Sequence, residues 1–231
     1  CPNDKVLVYK SLLEKRAARI PLQYITGVQE FMGLEFEVDE NVLIPRQDTE
    51  ILVEEVLKVC VGKSVLDLCT GSGCIILSLA KYGQVKRAVG SDISEKALQV
   101  AKRNAKKLNI DVTLVCSDLF ENIRERFDII VSNPPYIKTE EYFSLMPEVR
   151  DHEPKLALEA GNDGLLYYKR IIKDLPGFIK PGGYVFFEIG YDQGEAVAGL
   201  LQQAGFGDIY VKKDLSGLDR VVSAKSVSHT E

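Results

Sequence analysis

The sequence predicts an α/β domain: a mostly parallel, seven-stranded sheet closed by an antiparallel hairpin at its C-terminal end. Three observations predict it. Four compact apolar runs, 64–68, 87–91, 111–116 and 127–132, are separated by stretches of helical periodicity, the pattern of parallel strands buried between two helix layers. The first run passes through a glycine-bearing loop straight into a helix, the usual ligand-facing turn of an open parallel sheet. The last two runs, 208–213 and 219–224, are joined by little more than Leu215-Ser216-Gly217-Leu218, a connection so short that it permits only antiparallel pairing.

The elements follow in chain order. A helix is expected over 5–18, with Val6, Leu7, Leu13 and Ala17 roughly on one side and Pro21 stopping it; alone it is too short to be stable. Residues 31–38 alternate apolar positions around Gly33 and read as a small hairpin or extended linker. Asp48 or Thr49 is placed to cap a helix in which Leu52, Val53, Val56, Leu57 and Cys60 recur at helical spacing, ended by Gly62. Helices are expected over 74–81 and 95–108, the second capped by Ser94 and facing the sheet with Ala97, Leu98, Ala101, Ala105 and Leu108. A fifth strand, 184–189, is entered through Pro181-Gly182-Gly183, and a helix over 193–204 ends at Gly205. A parallel sheet finished in this way is the Rossmann-like form of the S-adenosylmethionine-dependent methyltransferase fold, although a fold alone does not give a function.

Composition narrows the class. With 231 residues, 45% hydrophobic, the chain has room for one full α/β domain and a small appendage. Position 1 is Cys, and the first segment reads as the end of something longer. The expected division is residues 1–28 as an N-terminal helical remnant, to which the resemblance given below assigns substrate docking, 29–42 as a hairpin linker, 43–225 as the main α/β domain, catalytic by the same resemblance, and 226–231 as a tail. Lys and Arg number 29 against 34 Asp and Glu, a net charge of -5, which argues against direct nucleic-acid binding. No apolar run approaches the ~20 residues of a membrane span and no secretory signal opens the chain, so the expected compartment is the cytoplasm. The five scattered cysteines lack a C-x-x-C pair and read as reduced thiols. With only His152 and His229 present, no His-rich metal site is expected.

The run 64–68 ends in Asp67-Leu68-Cys69-Thr70-Gly71-Ser72-Gly73-Cys74. Gly71 and Gly73 let the backbone turn tightly and approach a ligand, and the helix N-terminus behind them offers free amides to a carboxylate such as that of S-adenosylmethionine. A dinucleotide site would want a small residue three positions after Gly73, where this chain has Ile76. The second strand ends in Asp92, a suitable acceptor for two ribose hydroxyls, and the third in Ser117-Asp118-Leu119-Phe120, where an adenine amino group and ring face would lie. One such acid is equally a turn former; three in register at successive strand ends point to one ligand.

The fourth strand ends in Asn133-Pro134-Pro135-Tyr136. The prolines stiffen the backbone and remove two donors, leaving the Pro134 carbonyl and the Asn133 side-chain oxygen as acceptors aimed at a shared point. Such a pair suits an NH2 group whose nitrogen is to receive a methyl. Alignment of reacting groups can supply ~7–11 kcal/mol without a covalent enzyme intermediate. Tyr136 is expected against the flat acceptor group, and no general base is identified.

In these motifs the chain resembles the protein-(glutamine-N5) methyltransferases of the HemK type, which modify peptide chain release factors. The resemblance rests on 21–27, 42–46 with Thr49-Glu50, 67–74, 133–136, Glu153-Pro154, 161–165, and Glu188-Ile189-Gly190 with Gln193. It implies that the acceptor is the glutamine of a release factor's Gly-Gly-Gln loop, held by Asn133, Pro134, Pro135 and Tyr136, with Arg46 and Glu50 beside the substrate loop. Arg46 reads equally as half of an ion pair at a helix start. It also implies that Cys69, Thr70, Gly71, Ser72, Gly73, Asp92, Ile93, Ser117, Asp118, Leu119 and Asn133 contact the cofactor. The family's N-terminal helical domain is matched only by its last segment, residues 5–27. The rival is an amino methyltransferase acting on adenine or guanine in nucleic acid, which shares the tetrapeptide but calls for a basic, aromatic surface that this composition does not suggest.

Overall fold

A computed structural model describes residues 3–227. Helices α1 (Asn3–Ala17) and α2 (Leu22–Thr26) lead into a two-stranded antiparallel hairpin, β1 (Val28–Phe31) and β2 (Leu34–Glu37). There follow α3 (Asp48–Leu57), β3 (Ser64–Leu68), α4 (Cys74–Tyr82), β4 (Arg87–Asp92), α5 (Glu95–Leu108), β5 (Thr113–Cys116) and β6 (Phe127–Ser132). Two short helices, α6 (Thr139–Tyr142) and α7 (Pro147–Arg150), precede α8 (Leu166–Phe178), β7 (Ile179–Glu188), α9 (Gly194–Gln203), β8 (Phe206–Lys213) and β9 (Asp219–Ser226).

The main sheet has seven strands in the order β5-β4-β3-β6-β7-β9-β8. Pairing is parallel from β5 to β7 and antiparallel at β7–β9 and β9–β8. The order reverses direction at β3, so the loops after β3 and β6 diverge there and open a crevice at the carboxyl ends of the strands.

Strand alternation sorts the core into two layers. Val65, Ile129, Val131, Phe186 and Val221 face α3 and α4, joined by Phe31 and Phe36 of the hairpin. Leu66, Leu68, Ile130, Val185, Phe187 and Val222 face α8 and α9. Leu52, Val53 and Val56 of α3 are wholly buried, each contributing roughly 1.5–3 kcal/mol by leaving water. No helix among the described residues is long and apolar enough to cross a membrane.

The structure departs from the sequence expectation at four places. Neither Asp48 nor Thr49 caps α3: Gln47 before it is already helical, with the Thr49 amide bonded to the Arg46 carbonyl, so Thr49 is the second residue of the helix and its side chain is buried. Strand β5 begins at Thr113 rather than 111 and is half-exposed, because it forms the sheet edge. Helix α8, which the sequence reading leaves unassigned, carries Tyr168, Ile171, Ile172 and Leu175 inward at helical spacing, and Pro176 near its end obscured the pattern. Strand β7 starts at Ile179, so Pro181-Gly182-Gly183 lies inside it, absorbed by a register shift opposite Phe127 to Ile129. The Ser94 cap is present, its hydroxyl accepting the Ala97 amide at 3.2 Å. Val100 and Asn104 join Ala97 and Ala101 on the buried face of α5, with Leu98 less deeply covered.

Candidate active site

At the carboxyl ends of β3, β4 and β5 lies an open cleft, with about 840 Å³ of empty space when the solvent at its mouth is included. Of the residues expected there, Cys69, Gly71, Asp92, Ile93, Ser117, Asp118, Leu119, Asn133 and Pro135 line it.

Asp92 organises this half. One carboxylate oxygen accepts the Gly71 amide at 2.9 Å and the other accepts the Ser94 amide at 2.9 Å. Burial raises its pKa, opposed by these amides. A carboxylate offers about four acceptor sites, so capacity remains for two hydroxyls from the cleft. At Gly71, with φ of +55°, an added side-chain carbon would meet no protein atom within 4 Å and would stand in the cleft instead. Cys69 and Leu119 hold positive φ values of 60° and 50°, a conformation costing about 1–3 kcal/mol for a non-glycine residue. At Leu119 the turn is fixed by Ser117, whose hydroxyl donates to the Leu119 carbonyl at 2.8 Å and accepts the Asn122 amide at 2.9 Å. Asp118 is paired with Arg170 of α8 at 2.8 Å.

Four expected cofactor residues sit behind the wall. Asp67 is fully buried and accepts the Thr70 hydroxyl at 2.6 Å. Burial pushes its carboxyl up to about 7, against that hydrogen bond and with the help of the Asp92 charge. The Ser72 carbonyl accepts Asn104 Nδ2 at 2.9 Å, and Asn104 also bonds Glu37 of β2, tying the loop to the hairpin. Gly73, at φ +81°, permits close packing: a Cβ there would lie 3.1 Å from Leu77 and 3.2 Å from Ala101.

On the opposite side, Asn133 points its Nδ2 inward, 3.4 Å from Thr49 Oγ1, and the buried Glu188 carboxyl lies near both, which hold down a pKa that burial raises. Acceptors beneath the amide satisfy only its NH2 end, which leaves Oδ1 for the cleft. The Pro134 carbonyl takes no hydrogen bond from the described residues, and Pro134 itself is buried. Tyr136 is turned into the core beside α8 rather than lining the cleft, and burial raises its pKa so that it stays neutral.

Gln193 fastens the loop. Its Nε2 donates to the Tyr136 carbonyl at 3.0 Å and to the Gly164 carbonyl at 3.2 Å, while its Oε1 accepts the Gly190 amide at 2.9 Å. The sequence-distant segments 133–136, 161–165 and 188–193 thus form one unit. Arg46 lies off the cleft and pairs with buried Glu153 at 2.5 Å, and Glu153 also accepts the Ile44 amide at 3.2 Å. Glu50 accepts the Met32 amide at 2.6 Å and so is committed to the hairpin.

Sequence reasoning missed Tyr167 and Arg170, which line the cleft from the unassigned α8, and Pro154, Leu156 and Ala157, which cover it from the loop before that helix. The helical spacing 168, 171, 172, 175 was the available signal for the first pair.

Comparison with known proteins bears on this geometry. A model of the methyltransferase small domain matches residues 46–149. The release factor glutamine methyltransferase of Geobacter sulfurreducens is 45% identical over 224 residues, covering 96% of this chain and 79% of that protein. Its counterpart from Clostridium acetobutylicum is 46% identical over 224 residues, covering 94% and 79%. A solved methyltransferase structure from Pyrococcus furiosus is similar with a TM-score of 0.67 at 17% identity, covering 92% of this chain and 98% of that one, a likeness of fold.

Proposed function

Because the chain belongs to the release factor glutamine methyltransferase family, we propose that the Asn133 side-chain oxygen and the Pro134 carbonyl hold the carboxamide NH2 of the substrate glutamine, placed by the resemblance in a Gly-Gly-Gln loop. The chain is an S-adenosylmethionine-dependent N-methyltransferase that modifies release factor glutamine. The nucleic-acid alternative is not favoured by these relatives.

The residues present fit the cofactor: an open face at Gly71, spare acceptor sites on Asp92, and apolar cover from Ile93 and Leu119. When bound, S-adenosylmethionine supplies an activated methyl group. Asp92 would accept from its ribose hydroxyls, and Asp118, held by Arg170, would lie toward its base.

The observation that carries the acceptor reading is the inward Nδ2 of Asn133. With that end satisfied below, Oδ1 and the Pro134 carbonyl are the two acceptors left to orient a donor. An amide nitrogen is a weak nucleophile, so the loop's work is alignment and partial relief of its delocalisation. Methylation of the amide releases one proton, and the open cleft mouth lets it pass to solvent without a dedicated base. Helix α1, with Leu7, Tyr9 and Leu13 exposed, suits docking of the protein substrate.

The test is to incubate the chain with labelled S-adenosylmethionine and either a release factor or structured RNA, and to locate the label by mass spectrometry. Label on the glutamine is expected; label on RNA bases alone would overturn the reading. Asn133→Ala should lower kcat by about 10²-fold or more while cofactor affinity stays within a few fold.

A further inference from the structure

We propose that Glu188 and Thr49 are a positioning pair for Asn133: together they hold its carboxamide NH2 inward so that its oxygen, and not its nitrogen, faces the substrate. This rests on the acceptor role of Asn133 given above and names what sets it.

Glu188 ends β7 at 1% exposure and Thr49 lies in the first turn of α3 at 2%. Neither lines the cleft. Asn133 lies between them and it, with Nδ2 3.4 Å from Thr49 Oγ1, and Thr49 and Asn133 both lie close enough to the Glu188 carboxyl to hold down a pKa that burial raises. Glu188 has no ion pair, and its Oε2 finds no partner among the described residues. A buried carboxylate left in that state is costly, and on its own face of the sheet Phe186, two residues back, and Val221, its cross-strand partner, are buried apolar side chains, so the position would take an apolar one. What the acid provides is an acceptor-only surface. A carboxamide has two ends of similar shape and opposite polarity. Turned over, Asn133 would present a donor to the substrate NH2 and remove one of the two acceptors.

The pair also predicts a pH signature. Burial pushes the Glu188 carboxyl up to about 7, opposed by the bonds from Thr49 and Asn133 and by the Arg220 charge, and supported by Asp48. A protonated Glu188 would offer a donor beneath Asn133 and favour the turned-over amide, so turnover falls as pH drops through about 7. The other groups facing Glu188 are Tyr136, Tyr168 and Cys74, all raised by burial, Cys74 to about 12, and they stay neutral across this range. Asp67 also titrates at about 7, on the cofactor side, so a Glu188 variant separates the two.

The experiment measures kcat and KM on the full chain with a release factor and S-adenosylmethionine, from pH 5.5 to 9, with cofactor affinity and melting temperature alongside. Thr49→Val is expected to lower kcat about 10-fold with cofactor KM within twofold, and Thr49→Ser to restore it. Glu188→Gln is expected to lower the plateau and to erase the acid limb near 7. The proposal is overturned if Thr49→Val and Glu188→Gln keep native kcat and pH profile while Asn133→Ala is inactive. It is also overturned if the Thr49→Val loss persists in Thr49→Ser and tracks melting temperature. Native turnover in Asn133→Ala would instead remove the acceptor reading itself.

Discussion

The two halves of the cleft are built by opposite means. On the cofactor side the turns that face the ligand are closed by bonds short in sequence, Thr70 to Asp67 spanning three residues, Ser94 to Asp92 two and Ser117 to Leu119 two, with longer ties from Gly71 to Asp92, Asn104 to Ser72 and Arg170 to Asp118 bracing them. On the transfer side the bonds are long: Asn133 to Thr49 spans 84 residues, Gln193 to Tyr136 spans 57, and Gln193 to Gly164 spans 29. A site made of turns is specified by its own few residues. A site made of long contacts exists only once the sheet has brought its parts together, so its precision is a property of the whole fold. The proposed transfer loop, whose chemistry needs alignment, rests on the second kind of construction.

Glycine substitution puts the largest strain on that contrast. Gly164 has φ of +69°, and a Cβ there would fall 2.5 Å from the Tyr136 carbonyl oxygen and 2.6 Å from Gln193 Nε2. Both are partners in the long-range clasp, so Gly164→Ala must displace the transfer loop. A displacement of this order costs about 10²-fold in turnover, and kcat is expected to fall by that much with cofactor affinity nearly unchanged. Equal loss of cofactor binding in a titration would show that the halves are not separable.

Each half also buries one carboxyl that burial pushes up to about 7, Asp67 on one side and Glu188 on the other. In the unfolded chain such groups ionise near 4. Between about 4 and 7 the folded state therefore holds the extra proton, and the stability they contribute, complete below about 4, is lost as pH rises through about 7. Asp67→Asn should flatten the dependence of unfolding free energy on pH in that window by up to about 1.4 kcal/mol per unit. Denaturant unfolding at several pH values checks this; an unchanged slope would mean Asp67 is already ionised at ordinary pH.

The same contrast explains what could be read in the sequence. The loop from Asp67 to Gly73, Asp92, and the turn from Ser117 to Leu119 announce themselves because glycine, acid and strand end occur together in a few residues, and they do border the cleft. What a short motif cannot convey is which side chain faces the ligand: Asp67 looks as exposed to it as Asp92, yet Asp67 lies wholly inside, bonded to Thr70. The tetrapeptide offers two candidate acceptors but not their orientation, which the proposal above assigns to Thr49 and Glu188 far along the chain. Thr49 read as a helix cap because only its local neighbours were visible. Helix α8 was hidden by Pro176, and with it Tyr167 and Arg170.

A smaller effect is expected from Asp92→Asn. The amide keeps one acceptor oxygen, so only one of the Gly71 and Ser94 amides retains an acceptor at this position, and a ribose hydroxyl would lose a charged acceptor. A hydrogen bond to a charged group contributes about 1.5–3 kcal/mol, so cofactor Kd should rise at least about 10-fold. At saturating cofactor kcat should stay within a few fold, because Asn133 and its partners are untouched. A large fall in kcat at saturation would break the division by linking Asp92 to alignment.

The smallest effect is the sharpest local test. Ser94 caps α5 through its hydroxyl, which accepts the Ala97 amide at 3.2 Å, while its own amide donates to Asp92. Ser94→Ala removes the cap and leaves that amide in place, so it should cost about 1 kcal/mol and lower Tm by about 2–4 °C. Cofactor Kd and kcat should both remain within twofold, although Ser94 lines the cleft. The reason is that Asp92 is held by backbone atoms on both sides, which a side-chain deletion does not move. A tenfold rise in Kd would show instead that the short turns of the cofactor wall depend on the helix behind them, and the wall would then share the long-range dependence of the transfer loop.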